Sequence, residues 1–329
     1  MNPRPHAARI PHHDRNLPSL LTAISFGVFC FVYPFAILLL SLDLMPFGME
    51  WMSSLLLAML GLSAWGWLWL NFGGVGAALG GLLFVLGVAL EYVGVLAGVP
   101  FGHYTYTGVL IPELPGGVPL AIGFAWLMIV VSGLFTARLL LRISRPNSAS
   151  AIVTTSMLGA ALAVGLDLLL EPVAYHVKRY WLWEDTSGGY YGVPWSNFAT
   201  WFVAALAMNM LVTLILRQCT VGARHASPWL VRPPKMARDH EQGEACPAPT
   251  DISLNPGSEY LPDIGLHWKW LPPTLYTMNV FMFGIVNVAH GFWASGAVAL
   301  VLLLALRSFV ALPGAKLMTE KAPERGERK

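Results

Sequence analysis

Charge is scarce in this chain. Asp, Glu, Lys and Arg make up 12% of its 329 residues while hydrophobic residues make up 56%, too little polar surface for a water-soluble globule of this size. Cysteine is nearly absent. Cys30, Cys219 and Cys246 are the three, no two of them at metal-binding spacing, so neither a disulfide framework nor a zinc or other metal site is expected. The formal net charge is only +2, and no nucleic-acid partner is expected. A retained span rather than a cleavable leader is expected at the N-terminus: the first apolar stretch outruns a signal-peptide core, and no small-residue cleavage pattern follows it.

What the sequence has in abundance is long apolar runs. A bilayer core takes about 20 apolar residues per helix, and eight stretches qualify: 17–42, 51–71, 75–98, 119–142, 151–177, 195–216, 273–290 and 294–312. Basic residues gather on cytoplasmic loops, and with eight spans 18 of the 20 Lys and Arg fall on one side, leaving only Lys178 and Arg179 on the other. The expectation is an all-α polytopic membrane protein with about eight transmembrane helices and both termini cytoplasmic, in a bacterial or archaeal cell membrane. A cytoplasmic tail at 1–16 precedes helices 1–6 at 17–216. A polar loop at 217–272, rich in Pro, Gly and charge and expected to be flexible, separates them from helices 7 and 8 at 273–312. A second tail follows at 313–329.

Smaller features punctuate this frame. "FGGVGAALGG" at 72–81 offers the small-residue spacing of tight helix packing. Trp65, Trp67, Trp69, Trp181, Trp183 and Trp195 stand near helix ends, as interfacial belts do. Gly-Val-Pro recurs at 98–100, 117–119 and 192–194; Pro suits the first turn of a helix and not its interior, so Pro119 and Pro194 open helices and Pro100 ends one.

Acids inside membrane spans are costly and mark function by default. At about 1.5 Å per residue, Glu91 and Asp167 each lie about 24 Å from the cytoplasmic start of their helices, hence at one level near the outer boundary. Glu171 follows Asp167 by one turn on the same face. The polar residues Asn197, Asn287 and His290 reach the same outer layer from other helices. Nearby loops carry His103, Tyr104, Tyr106, Tyr190 and Tyr191, candidates to bind substrate or water. No Lys or Arg stands at the depth of Glu91 and Asp167.

A carboxylic acid kept protonated in an apolar pocket is a general acid. Its fitting substrate within a bilayer is uncharged, for example an alkene, and aromatic faces stabilise the carbocation that protonation makes. Asp167 is expected to give the proton while Glu91 holds the water; the reverse assignment is the alternative.

The motifs "GVPFGHYTYTGVL", "GVPLAIGFAWLMIV", "GLDLLLEPVAYHVKRYWLW" and "GYYGVPWSNFATWF" resemble, in order and spacing across about residues 85 to 210, those of the CruF-type carotenoid biosynthesis proteins. Glu91, His103, Tyr104, Asp167, Glu171 and Asn197 occupy positions in them. The resemblance implies a membrane hydratase that adds water to the terminal double bond of an acyclic (ψ) carotenoid end group, giving a tertiary alcohol without a cofactor. It further implies an acyclic or monocyclic carotenoid as substrate and other carotenoid-pathway enzymes as partners. Two other classes compete. Proton-coupled transport calls for polar groups through the full depth of the bundle, and here the inner half is nearly all apolar. Prenyl transfer, suggested by "DLLLE", calls for a second acidic cluster and for basic residues to receive diphosphate.

Overall fold

The computed structural model describes residues 16–143, 145–225 and 268–310. Seven helices carry the fold: α1 (Asn16–Ser41), α2 (Trp51–Ala97), α3 (Ala121–Leu140), α4 (Ala149–Pro172), α5 (Trp195–His225), α6 (Leu271–Ala289) and α7 (Trp293–Val310). Five among the described residues are long and apolar enough to cross a membrane, which makes this a helical membrane protein; Trp293–Arg307 is apolar but shorter. The loop expected at 217–272 gives up its first residues to α5, which runs on to His225. The rest of that loop up to residue 267, the tail at 313–329 and residues 1–15 of the N-terminal tail lie outside the described residues.

The 47-residue α2 is not one rod. Gly73 has φ 56° and ψ −141°, a conformation essentially reserved for glycine, and the chain doubles back there into legs at 51–72 and 74–97. Trp65 Nε1 donates to the Ala77 carbonyl at 2.9 Å, and the Trp65 and Phe84 rings sit 6.3 Å apart. Along a straight helix residues 65 and 84 would be about 28 Å apart. The glycine-rich stretch read as packing surface therefore also makes a reversal.

Helix α3 is the axis of the bundle. Its apolar window is 89% buried, against 22% for α1, because its residues are apolar on every side and α2, α4, α5 and α6 all pack on it. Close approach of α2 is allowed by Gly87: a Cβ there would stand 2.5 Å from Trp126 Cβ. On the rim, Phe31, Phe35 and Leu38 of α1 remain exposed, as a lipid-facing surface requires.

The purely helical expectation is corrected in the loops that follow α2 and α4. Tyr104–Tyr106 (β1) and Trp181–Trp183 (β2) pair antiparallel, Tyr104 opposite Trp183 and Tyr106 opposite Trp181. The alternation of "YTY" and "WLW" is the period of a two-faced strand. Thr105 and Leu182 face out, while Trp181, Trp183 and Tyr104 are buried. The prolines sit as expected. Pro119 and Pro194 lie just ahead of α3 and α5, and α2 stops at Gly98, whose left-handed φ of 63° caps it before Pro100.

Candidate active site

Beneath the two-stranded sheet lies a cavity enclosing about 1290 Å³ of empty space, including its mouth. Its walls are almost wholly apolar, supplied by α1, the first leg of α2, α3, α4 and α6. Glu91, Glu171 and Asn197 lie on the wall with Tyr104, Tyr106, Trp126, Trp181, Trp183 and Trp201.

Each cavity-facing carboxylate is held by neutral donors. Tyr104 and Tyr106 hydroxyls donate to Glu91 Oε2 at 2.6 and 2.8 Å, and Trp126 Nε1 donates to Oε1 at 3.0 Å. Glu171 Oε2 accepts the Trp181 and Trp183 indole N–H groups at 3.1 and 3.3 Å. Its Oε1 accepts from Asn197 Nδ2 at 3.0 Å. The same face of one small sheet thus grips both acids, its tyrosines on Glu91 and its tryptophans on Glu171. Burial first, and then the Glu91 charge, pushes the Tyr104 and Tyr106 hydroxyls above the usual tyrosine range, so both remain donors.

Asp167 is placed differently. Asn197 Nδ2 also donates to its Oδ2 at 3.0 Å, so one amide nitrogen bridges Asp167 and Glu171. Asp167 is fully buried, has no place on the cavity wall, and its Oδ1 has no partner among the described residues. Two carboxylate charges on the order of 5 Å apart repel by about 3 kcal/mol at an effective dielectric of 20. The pair has four hydrogen bonds among its four oxygens, three of them on Glu171. Glu171 has the donors that suit an anion; Asp167 Oδ1 is left without a partner among the described residues.

The local chain explains the placement. Pro172 lacks an N–H, and directly after it the helix widens into a π-helical turn, Val173–Val177, a form common at functional sites. Val173 and Ala174 of that turn join the cavity wall. Trp126 stacks on Trp201 with centroids 4.5 Å apart, and both stand on the cavity wall.

Not every expected residue comes to this site. His103 is exposed and packs beside Gly98. Tyr190 bonds Ser295 Oγ at 2.6 Å, and the Tyr191 hydroxyl accepts from the Ala294 N–H at 3.1 Å. Asn287 donates to the Leu169 and Phe283 carbonyls at 2.8 Å, and His290 Nε2 contacts the Leu40 carbonyl at 2.8 Å. These five sit outside the cavity wall and tie elements together. Trp126 and Trp201 were absent from the expectation, and Trp181 and Trp183, read there as belt residues, turn inward to Glu171.

Among the described residues no group of three or more His, Cys, Asp or Glu is arranged to hold a metal ion. No solved structure matches the chain. A relative named bisanhydrobacterioruberin hydratase, from Haloarcula japonica, is 32% identical over 123 residues, which span 37% of this chain and 39% of the relative. The family model described as carotenoid biosynthesis protein matches residues 50–234. That stretch is more than half of the sequence and includes all three acids and Asn197, and the chain belongs to the carotenoid biosynthesis protein family.

Proposed function

We propose that this protein hydrates the terminal trisubstituted double bond of an acyclic carotenoid end group, working in the cell membrane with eight crossings and both ends cytoplasmic. The observation that carries this reading is the cavity itself: an apolar chamber whose wall bears two carboxylates held by neutral donors and four indoles. A hydrocarbon chain end fits such a chamber, and a charged substrate would leave its hydration for nothing in return.

Asp167 and Glu171 hold one proton between them, with Asp167 as its enclosed store and Glu171 as its outlet. The π pair of the alkene takes that proton at the less substituted carbon, forming a C–H bond and leaving a tertiary cation. The faces of Trp126 and Trp201 stabilise the cation; a desolvated cation–π contact contributes about 2 kcal/mol. Water held against Glu91 by Tyr104 and Tyr106 forms the C–O bond and yields its proton to Glu91. The sum is alkene plus water to tertiary alcohol, and the proton on Glu91 returns to the Asp167–Glu171 pair through cavity water.

The name of the Haloarcula japonica relative, a hydratase, supports the same chemistry. The test is expression in cells that accumulate lycopene or γ-carotene, with mass spectrometry of the extracted pigments. A product heavier by one water is expected. Membranes that contain the protein and yield only unreacted pigment would refute the reading.

A further inference from the structure

The cavity has no use unless a long polyene reaches it from the bilayer, and one wall is built more lightly than the rest. Helix α1 is the least enclosed of the five long apolar helices, yet its Val32, Ala36, Leu39 and Leu40 line the cavity. Pro34 lies within the same stretch of α1, on its opposite, exposed side. Its missing N–H leaves the Cys30 carbonyl without a helical partner, so the helix is weakest to bending where the wall begins.

From Tyr33 onward, the second half of α1 joins α6 through few contacts. Tyr33 donates its hydroxyl to the Met278 carbonyl at 2.8 Å, and His290 Nε2 meets the Leu40 carbonyl. Leu40 packs with Val173 and Val286 in a small cluster separate from the main core, and Phe283 touches both. A satellite cluster of this size opens at lower cost than the core.

We propose that the seam between the second half of α1 and α6 is the lateral port by which a long, uncharged, membrane-dissolved polyene enters the cavity. Pro34 is the hinge, and the Leu40–Val173–Val286 cluster with the His290 contact is the latch. This rests on the reading of the cavity as the site of a lipid-soluble substrate, although the port is tested without turnover.

The experiment uses the full chain with Cys30, Cys219 and Cys246 replaced by Ser, carrying Leu40→Cys and Val286→Cys. Lycopene uptake in detergent is followed by quenching of tryptophan fluorescence. Oxidation to join the two cysteines is expected to abolish the quenching phase, and reduction to restore it. A second variant, Leu40→Ala with Val286→Ala, empties the latch and is expected to speed uptake. Equal quenching rates in the oxidised and reduced protein would overturn the port, as would an unchanged or slower rate in the double-Ala variant. Latch-dependent uptake without any hydrated product would count against the hydratase reading and leave the port standing. Hydrated product with latch-independent uptake would do the opposite.

Discussion

Glu171→Gln separates the proton's outlet from the shape that surrounds it. Glu171 accepts from two indoles on Oε2 and from Asn197 on Oε1. The Gln side chain keeps its carbonyl toward Trp181 and Trp183, which preserves two bonds and turns its NH2 toward Asn197. Asn197 then rotates its own carbonyl to accept and gives up its donation to Asp167 Oδ2. The structural cost is one buried hydrogen bond, about 1–3 kcal/mol, and the melting temperature in detergent should fall by a few degrees. The chemical cost is larger, since losing a general acid costs about 10²–10⁴-fold in rate, equal to about 3–5 kcal/mol of barrier. Pigment turnover per mole of purified protein, measured beside the melting curve, gives both quantities. A variant that melts near the parent and turns over within about threefold of it, a barrier change of under 1 kcal/mol, would refute Glu171 as the outlet.

Three further outcomes follow from the geometry. Trp126→Phe keeps a ring against Trp201 but deletes the N–H that donates to Glu91 Oε1; with about 1.5–3 kcal/mol assigned to a hydrogen bond on a charged group, turnover should fall at least about tenfold in the pigment assay. Gly73→Ala forces a Cβ into a conformation close to glycine's own region, at about 1–3 kcal/mol, and should lower the detergent melting temperature with no change in turnover per folded molecule. Because the folded-state pKa values of Tyr104 and Tyr106 are raised, their contribution to stability is fully present below the unfolded tyrosine value of about 10 and is lost as pH climbs above it. Ultraviolet titration should therefore find at least two of the 10 tyrosines resisting ionisation until the protein unfolds; complete titration of a folded sample would contradict their burial over Glu91.

Position along each helix was legible from sequence because the helical rise is fixed at about 1.5 Å per residue. Counting along the helices put Glu91, Asp167, Glu171 and Asn197 at one level, and the last three meet directly. Rotation about each helix axis was not legible, since it depends on which neighbours pack. Asp167 thus read as the acid most fit to meet substrate, whereas it stands behind Glu171. Asn287 and His290 share the right level and face the wrong way, toward Leu169 and Leu40. Trp181 and Trp183 read as belt residues because composition near a helix end does not separate an indole facing lipid from one facing an acid. Only the pairing of "WLW" with "YTY", remote in sequence, decides it. The reversal at Gly73 was visible as a gap between two apolar runs, and its mechanism was not.

The choice of neutral donors has a consequence for the chemistry. A Lys or Arg placed against Glu171 would favour the charged form of both acids and leave the pair without a proton to give. Apolar surroundings alone would leave buried oxygens unpaired, at about 1–3 kcal/mol for each lost partner. Indole, phenol and amide donors take a course between these. They orient the carboxylates and partly compensate one negative charge while supplying no charge of their own, which is what the proposed sharing of one proton requires. The same indoles that donate through their N–H edges offer π faces to the cavity, and an edge that gives hydrogen-bond density toward an anion leaves the face richer in electrons for a cation. In the proposed reaction one residue type would serve both ends, holding the acid before proton transfer and the cation after it. Three of the four cavity-wall tryptophans, Trp126, Trp181 and Trp183, give an N–H to an acid, where Leu or Phe would fill the same volume with no polar edge to offer.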